Sequence, residues 1–114
     1  MKITKLYTAE DNKSYFMEEE IDLNMQAELG AYSAKFAATG ILFREFVKGK
    51  QFDWHNAPQP QYIVYLTGEV EVIASGGEKR IFKSGDILFA TDLTGQGHIT
   101  TTLTEGKSVI ITTQ

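Results

Sequence analysis

From about Gly40 onward, the chain is a succession of short apolar runs separated by turn residues. The runs are ILFREFVKG, QYIVYLTGEVEVIASGG, RIFKSGDILFATD and HITTTLTEGKSVIITT. They are rich in Val, Ile, Tyr, Phe and Thr, which are enriched in strands, and they are interrupted by Gly-Gly, Gly-Asp and Gly-Lys steps. This pattern predicts an all-β sandwich or barrel.

Two segments indicate how the strands are covered. EVEV, residues 69–72, alternates polar and apolar side chains, so one face lies in a core and the other in water. Residues 75–78 then predict a tight hairpin turn whose glycines supply positive φ. YIVYL, residues 62–66, is apolar on both faces, which predicts cover from the N-terminal part of the chain, from a second subunit, or from both.

Residues 1–39 have a weaker pattern. KITKLYTA predicts a strand, SYFMEEEIDLNM predicts a strand or a single helical turn, and AELGAYSAKFAATG predicts an extended connector with at most one helical turn. We therefore expect an N-terminal strand and connector that pack on a β-barrel formed by residues 40–114. At 114 residues the chain has the length of a single domain.

Composition and charge exclude several classes of function. The net charge is −4 and the eleven Lys and Arg residues are scattered, so no basic patch for nucleic acid is visible. The absence of cysteine excludes disulfides and thiolate metal sites. No apolar run approaches the ~20 residues that span a bilayer, and the first residues lack the apolar core of a secretory signal. We expect a cytoplasmic protein with neither nucleic acid nor membrane as a partner.

Rare residue types concentrate in FDWHNAPQPQ, residues 52–61, which contains the single Trp, one of the two His and both Pro. The prolines favour extended backbone in the residues before them and remove two amide donors, which predicts a stiff bend between two strands. Trp54 in this bend either seals the end of the barrel or contacts a ligand.

The spacing around this bend resembles the first motif of the cupin superfamily. Five residues separate Gly49 from His55, and one residue separates His55 from Ala57. Three residues then separate Ala57 from Gln61, and six separate Gln61 from Gly68. In cupins the corresponding positions hold Gly, His, His, Glu and Gly. The resemblance implies a jelly-roll barrel, also called a double-stranded β-helix, in which these His and Glu side chains bind a divalent metal.

The second cupin motif also has a counterpart. Gly85 and Asp86 followed by GQGH, residues 95–98, resemble the hairpin that leads to a third metal-binding His. The chain departs from the pattern because Ala57 replaces a His, Gln61 replaces the Glu, the usual proline is missing near Thr91, and the turn before His98 is two residues longer.

The remaining candidate metal ligands are His55, His98 and Gln61, with Asp53 as a fourth. Imidazole suits zinc, nickel or iron, but an amide oxygen is a poor donor without charge. On an extended chain Asp53 shares a face with His55, where it would bind metal, orient the imidazole or stabilise the turn.

The same alternation predicts the lumen. If Gln61 faces inward, so does Tyr65, and if His98 faces inward, so do Thr100 and Thr102. Of Arg44 and Glu45, adjacent in FREF, one faces inward and would be the strongest charge in the pocket. The predicted ligand-binding residues are His55, Gln61, Tyr65, His98, Thr100, Arg44 and Trp54.

Three functions fit this sequence. The first is a small cupin that binds a small polar organic molecule in its lumen without established catalysis, which the lost ligands favour. The second is a divalent-metal enzyme of isomerase, dioxygenase or lyase type. The third is a metal-free epimerase-like enzyme with a histidine base and Tyr65 as acid. The apolar YIVYL strand and the resemblance to cupins both predict a homodimer.

Overall fold

The structure is a computed structural model that describes residues 1–114, and it contains twelve β-strands and no helix. No segment therefore forms a helix long and apolar enough to cross a membrane. The strands are β1 (Lys2–Thr8), β2 (Ser14–Glu20), β3 (Met25–Ala27), β4 (Gly30–Tyr32), β5 (Gly40–Phe46), β6 (Gln51–His55), β7 (Gln61–Thr67), β8 (Val70–Ala74), β9 (Lys79–Phe82), β10 (Ile87–Ala90), β11 (His98–Thr102) and β12 (Gly106–Thr112).

Ten of these strands form two sheets that pack face to face. The large sheet has the order β2-β1-β10-β7-β12-β5, and the small sheet has the order β6-β11-β8-β9. All neighbouring pairs are antiparallel except β1 and β10, which are parallel. Strands β3 and β4 form a separate two-stranded hairpin. The predicted all-β jelly roll with an N-terminal extension is confirmed.

The N-terminal strands are part of the large sheet. Strand β1 lies between β2 and β10, with Leu6 paired to Ala90, and SYFMEEE is a strand rather than a helical turn. Leu6 is fully buried in the core. The segment AELGAYSAKFAATG, predicted to be an extended connector, contains most of the β3–β4 hairpin and no helical turn.

The interior of the barrel has a closed half and an open half. In the closed half, a continuous apolar core joins both sheets; its members are Leu6, Phe16, Phe46, Ile63, Tyr65, Val70, Val72, Ala74, Phe82 and Leu88.

The open half lies at β5 and β6, which are edge strands of the large and the small sheet and do not pair with each other. Leu42 on β5 pairs with Ile110, which packs on the core, yet Leu42 is 52% exposed. Phe52 on β6 pairs with inward-facing Thr100 and is 64% exposed. We call this opening between β5 and β6 the lumen slot.

Replacing Leu6 with Ala tests whether β1 is an integral part of the core. We expect a loss of about 2–5 kcal/mol in the free energy of unfolding, because the substitution leaves a cavity in a fully packed site. Met17 on the neighbouring strand β2 is half exposed, so Met17→Ala should change stability by no more than about 0.5 kcal/mol. Urea unfolding measures both; equal small effects would show that β1 is dispensable.

Candidate functional site

The two histidines lie side by side at one end of the lumen slot. His55 at the end of β6 is paired with His98 at the start of β11. Their rings are 4.2 Å apart between centroids, with an angle of 56° between the planes. His98 is buried, whereas His55 is half-buried. The two histidines of the chain thus form a contiguous imidazole pair.

A β-bulge in β6 determines which side chains accompany this pair. His98 pairs with His55 and Thr100 pairs with Phe52, so two residues of β6 lie opposite the single residue Ile99. Phe52 therefore shares the inward face with His55, and their rings stack with centroids 3.7 Å apart.

The bulge corrects the predicted positions of Asp53 and Trp54. Simple alternation placed Asp53 on the face of His55, but the bulge puts Asp53 and Trp54 beside inward-facing neighbours and so on the outward face. The Asp53 carboxylate accepts a hydrogen bond from the Trp54 amide, 2.9 Å away, so it stabilises the bulge. Asp53 contacts His55 through its backbone carbonyl instead, which accepts a hydrogen bond from Nδ1 at 2.7 Å.

Asp92 completes the site, although no sequence pattern predicted it. Its Oδ2 atom lies 2.5 Å from His98 Nδ1, and the carboxylate is fully buried. Its Oδ1 atom has no hydrogen-bond partner. The only signal in the sequence was the longer turn before His98, which contains this residue.

Each imidazole is therefore held by a hydrogen bond at its Nδ1 atom. The partner of His98 is the Asp92 carboxylate, and the partner of His55 is the Asp53 carbonyl. A carbonyl oxygen can only accept, so Nδ1 of His55 carries a proton and its neutral ring has an unprotonated Nε2. Partial burial lowers the pKa of His55, and neighbouring His98 lowers it further, against the opposing effect of the Asp53 carbonyl. This favours the neutral form of His55.

Arg44 is the inward-facing charge of the FREF pair. Its Nε donates a hydrogen bond to Ser108 Oγ at 2.8 Å, and its guanidinium lies 5.7 Å from the centre of the Phe46 ring. Glu45 lies on the outer surface, where it is 3.9 Å from Lys107. No carboxylate lies within ion-pair distance of Arg44. Arg44 thus places an uncompensated positive charge on the inward face of β5.

The other predicted ligand-binding residues are divided between the two halves of the barrel. Thr100 faces the lumen slot opposite Phe52, and half-buried Gln61 begins β7 between Ala90 and Thr112. Tyr65 faces inward but is 1% exposed, because it lies in the closed core. Burial raises the pKa of Tyr65, which Arg44 only partly offsets.

The site offers an incomplete set of metal ligands. No three His, Asp or Glu side chains converge on one point anywhere in the chain. Structural and catalytic zinc sites use at least three protein ligands. Here two imidazoles are present, and the nearest carboxylate, Asp92, bonds to Nδ1 of His98 rather than facing the unprotonated Nε2 of His55.

Neither a known family description nor a curated protein sequence matches this chain. Two solved structures resemble it in fold. A conserved protein of unknown function from Streptococcus pyogenes has a TM-score of 0.53 and 14% identity over 72% of this chain and 70% of that one. A putative ethanolamine utilization protein Q from Salmonella typhimurium has a TM-score of 0.42 and 15% identity over 98% of this chain and 94% of that one. At these identities the likeness is one of fold alone, and it agrees with the all-β architecture described above.

Gly97 fixes the approach of the two histidine strands. A Cβ atom on Gly97 would lie 2.0 Å from the His55 carbonyl oxygen, and its φ of +79° is unfavourable for other residues. Gly49 has nearly the same φ, +81°, but open space around it. Comparing an alanine substitution at each glycine therefore separates the free-energy cost of the backbone conformation from the cost of the close contact.

Gly97→Ala should lose about 1–3 kcal/mol more of the free energy of unfolding than Gly49→Ala, because the added methyl group must displace the His55 backbone. The NMR signals of both imidazoles should shift in Gly97→Ala and remain in place in Gly49→Ala. Equal stabilities and unchanged imidazole signals would show that the contact does not position the histidines.

Proposed function

We propose that the protein binds a small organic molecule with a carboxylate group in the lumen slot. The observation that carries this proposal is Arg44, which faces the interior without an acidic partner. Arg44 is half-buried, and a cation that is partly removed from water is stabilised by a negative group that approaches it. Guanidinium donors match the two oxygens of a carboxylate.

The remaining surface of the slot suits an organic ligand with an apolar part. Leu42 and Phe52 offer exposed apolar surface, while Thr100 offers a hydroxyl group. His55 offers an unprotonated Nε2 that accepts a hydrogen bond. One fixed charge and several neutral polar groups fit a monoanion better than a polyanion.

Small carboxylates should stabilise the protein, and their uncharged amides should not. Thermal unfolding in a panel of aliphatic and aromatic monocarboxylates, each compared with its amide, measures this difference. Arg44→Gln should lose most of the stabilisation because it removes the charge, and Arg44→Lys should keep part of it. Lys107→Gln removes a cation from the outer surface and is the matched control.

This proposal fails if no carboxylate raises the unfolding temperature more than its amide does. It also fails if Arg44→Gln and Lys107→Gln respond to the carboxylates as the wild type does, because the binding site would then lie elsewhere.

A divalent-metal enzyme is the second candidate, and one observation favours it. Metal-binding histidines usually donate their second ring N–H to a carboxylate or carbonyl, as His98 and His55 do here. The missing third ligand argues against it.

Metal analysis of untagged protein after incubation with zinc, nickel or iron separates the two candidates. We expect less than one equivalent of bound metal, because only two imidazoles are available. One equivalent that is lost in His98→Ala would instead favour the metal enzyme.

The metal-free epimerase is less well supported. The Asp92 carboxylate is hydrogen-bonded to Nδ1 of His98, and histidines that act as general bases are held in the same way. However, Tyr65, the predicted acid, is enclosed in the core with a raised pKa, so it is poorly placed to donate a proton to a ligand.

We also propose that the protein is a homodimer. The outward side chains of β7 and its neighbours are apolar, which supports cover by a second subunit.

A further inference from the structure

The β3–β4 hairpin lacks a surface to pack on. Both strands have three residues, and every residue of both is exposed. Leu29 at its tip is 93% exposed. A two-stranded hairpin without further packing is marginally stable in water. The hairpin therefore requires cover that a single copy of the chain does not provide.

A second feature is the outward surface of the large sheet, which we call the outer face and which the chain itself covers only in part, where residues 36–38 lie beside Tyr62, Val64 and Ile111. By register, its apolar residues belong to β5, β7 and β12. They include Ile41, Phe43, Tyr62, Val64, Leu66 and Ile111. Ile41 is 57% exposed and Phe43 is 79% exposed. The charged pair Glu45 and Lys107 lies at the end of this surface rather than within it.

The two features together have the size of half an interface. Taking about 200 Å² for a large side chain, the exposed parts of Ile41, Phe43, Leu66 and Leu29 amount to on the order of 500 Å². Exposed apolar patches of this size on a monomer usually mark an interaction site. The partly exposed side chains of Tyr62, Val64 and Ile111 add to this area and bring it toward the ~800 Å² that each partner contributes to a standard interface.

A second copy of this chain is the partner that fits. An uncharged apolar face is complementary to itself, as a two-fold interface requires. Each of the two features leaves large apolar side chains exposed in one copy: Met25, Leu29 and Tyr32 on the hairpin, and Ile41, Phe43 and Leu66 on the outer face.

We infer that two copies pack outer face to outer face, with the β3–β4 hairpin of each lying on the outer face of the other. This inference rests on the homodimer proposed above and adds its surface and the exchange of hairpins. It does not depend on the ligand.

Sedimentation equilibrium at micromolar concentration tests the inference with three variants. Ile41→Ser changes the outer face, and Leu29→Ser changes the hairpin. Ile81→Ser is the control, because Ile81 is a similarly exposed isoleucine, at 49%, on a strand of the small sheet. Leu29→Ser and Ile41→Ser should each weaken the dimer at least ~100-fold, because each substitution occurs twice in a two-fold interface. Ile81→Ser should leave it unchanged.

Circular dichroism checks that each variant is folded, which Leu29→Ser should be because Leu29 is almost fully exposed. A monomeric wild type would overturn both the homodimer and this inference. A dimeric wild type that Leu29→Ser or Ile41→Ser leaves intact, or that Ile81→Ser weakens equally, would overturn this inference alone.

Discussion

The backbone of β6 meets the start of β11 where the His55 carbonyl lies against Gly97. Because no side chain larger than a hydrogen fits there, the next residue, His98, comes alongside His55. The bulge in β6 then turns Phe52, rather than Asp53, toward the interior. The positions of both imidazoles depend on this close approach, and the bulge determines which side chains of β6 face the lumen slot.

Electrostatic interactions determine what the slot can bind. The carboxylate of Asp92 is used by His98 and that of Glu45 lies outside the barrel, so neither compensates Arg44. Partial burial lowers the pKa of His55, which favours the neutral ring. The result is a single uncompensated cation on the inward face of β5, which is the basis for proposing a monocarboxylate rather than a metal ion or a polyanion.

The all-β barrel could be predicted because strand composition and glycine turns are local signals in the sequence. The motif spacing also predicted that His55 and His98 lie close together, as they do. Alternation failed at Asp53, because a bulge inserts one residue and reverses the faces beyond it. Alternation also could not decide which of Arg44 and Glu45 faces inward, since an edge strand accommodates either side chain on either face. Asp92 had no signal of its own, because its role depends on a loop that folds back onto His98. The β3–β4 hairpin was missed because its sequence, rich in Ala and Gly, has little strand propensity.

The most direct test of the account is an NMR titration with a monocarboxylate that stabilises the protein. If the carboxylate binds in the lumen slot, the Nε–Hε signal of Arg44 and the ring signals of His55 should shift together with one dissociation constant. Shifts confined to the outer face or to the closed core, with the Arg44 signal unchanged, would contradict it.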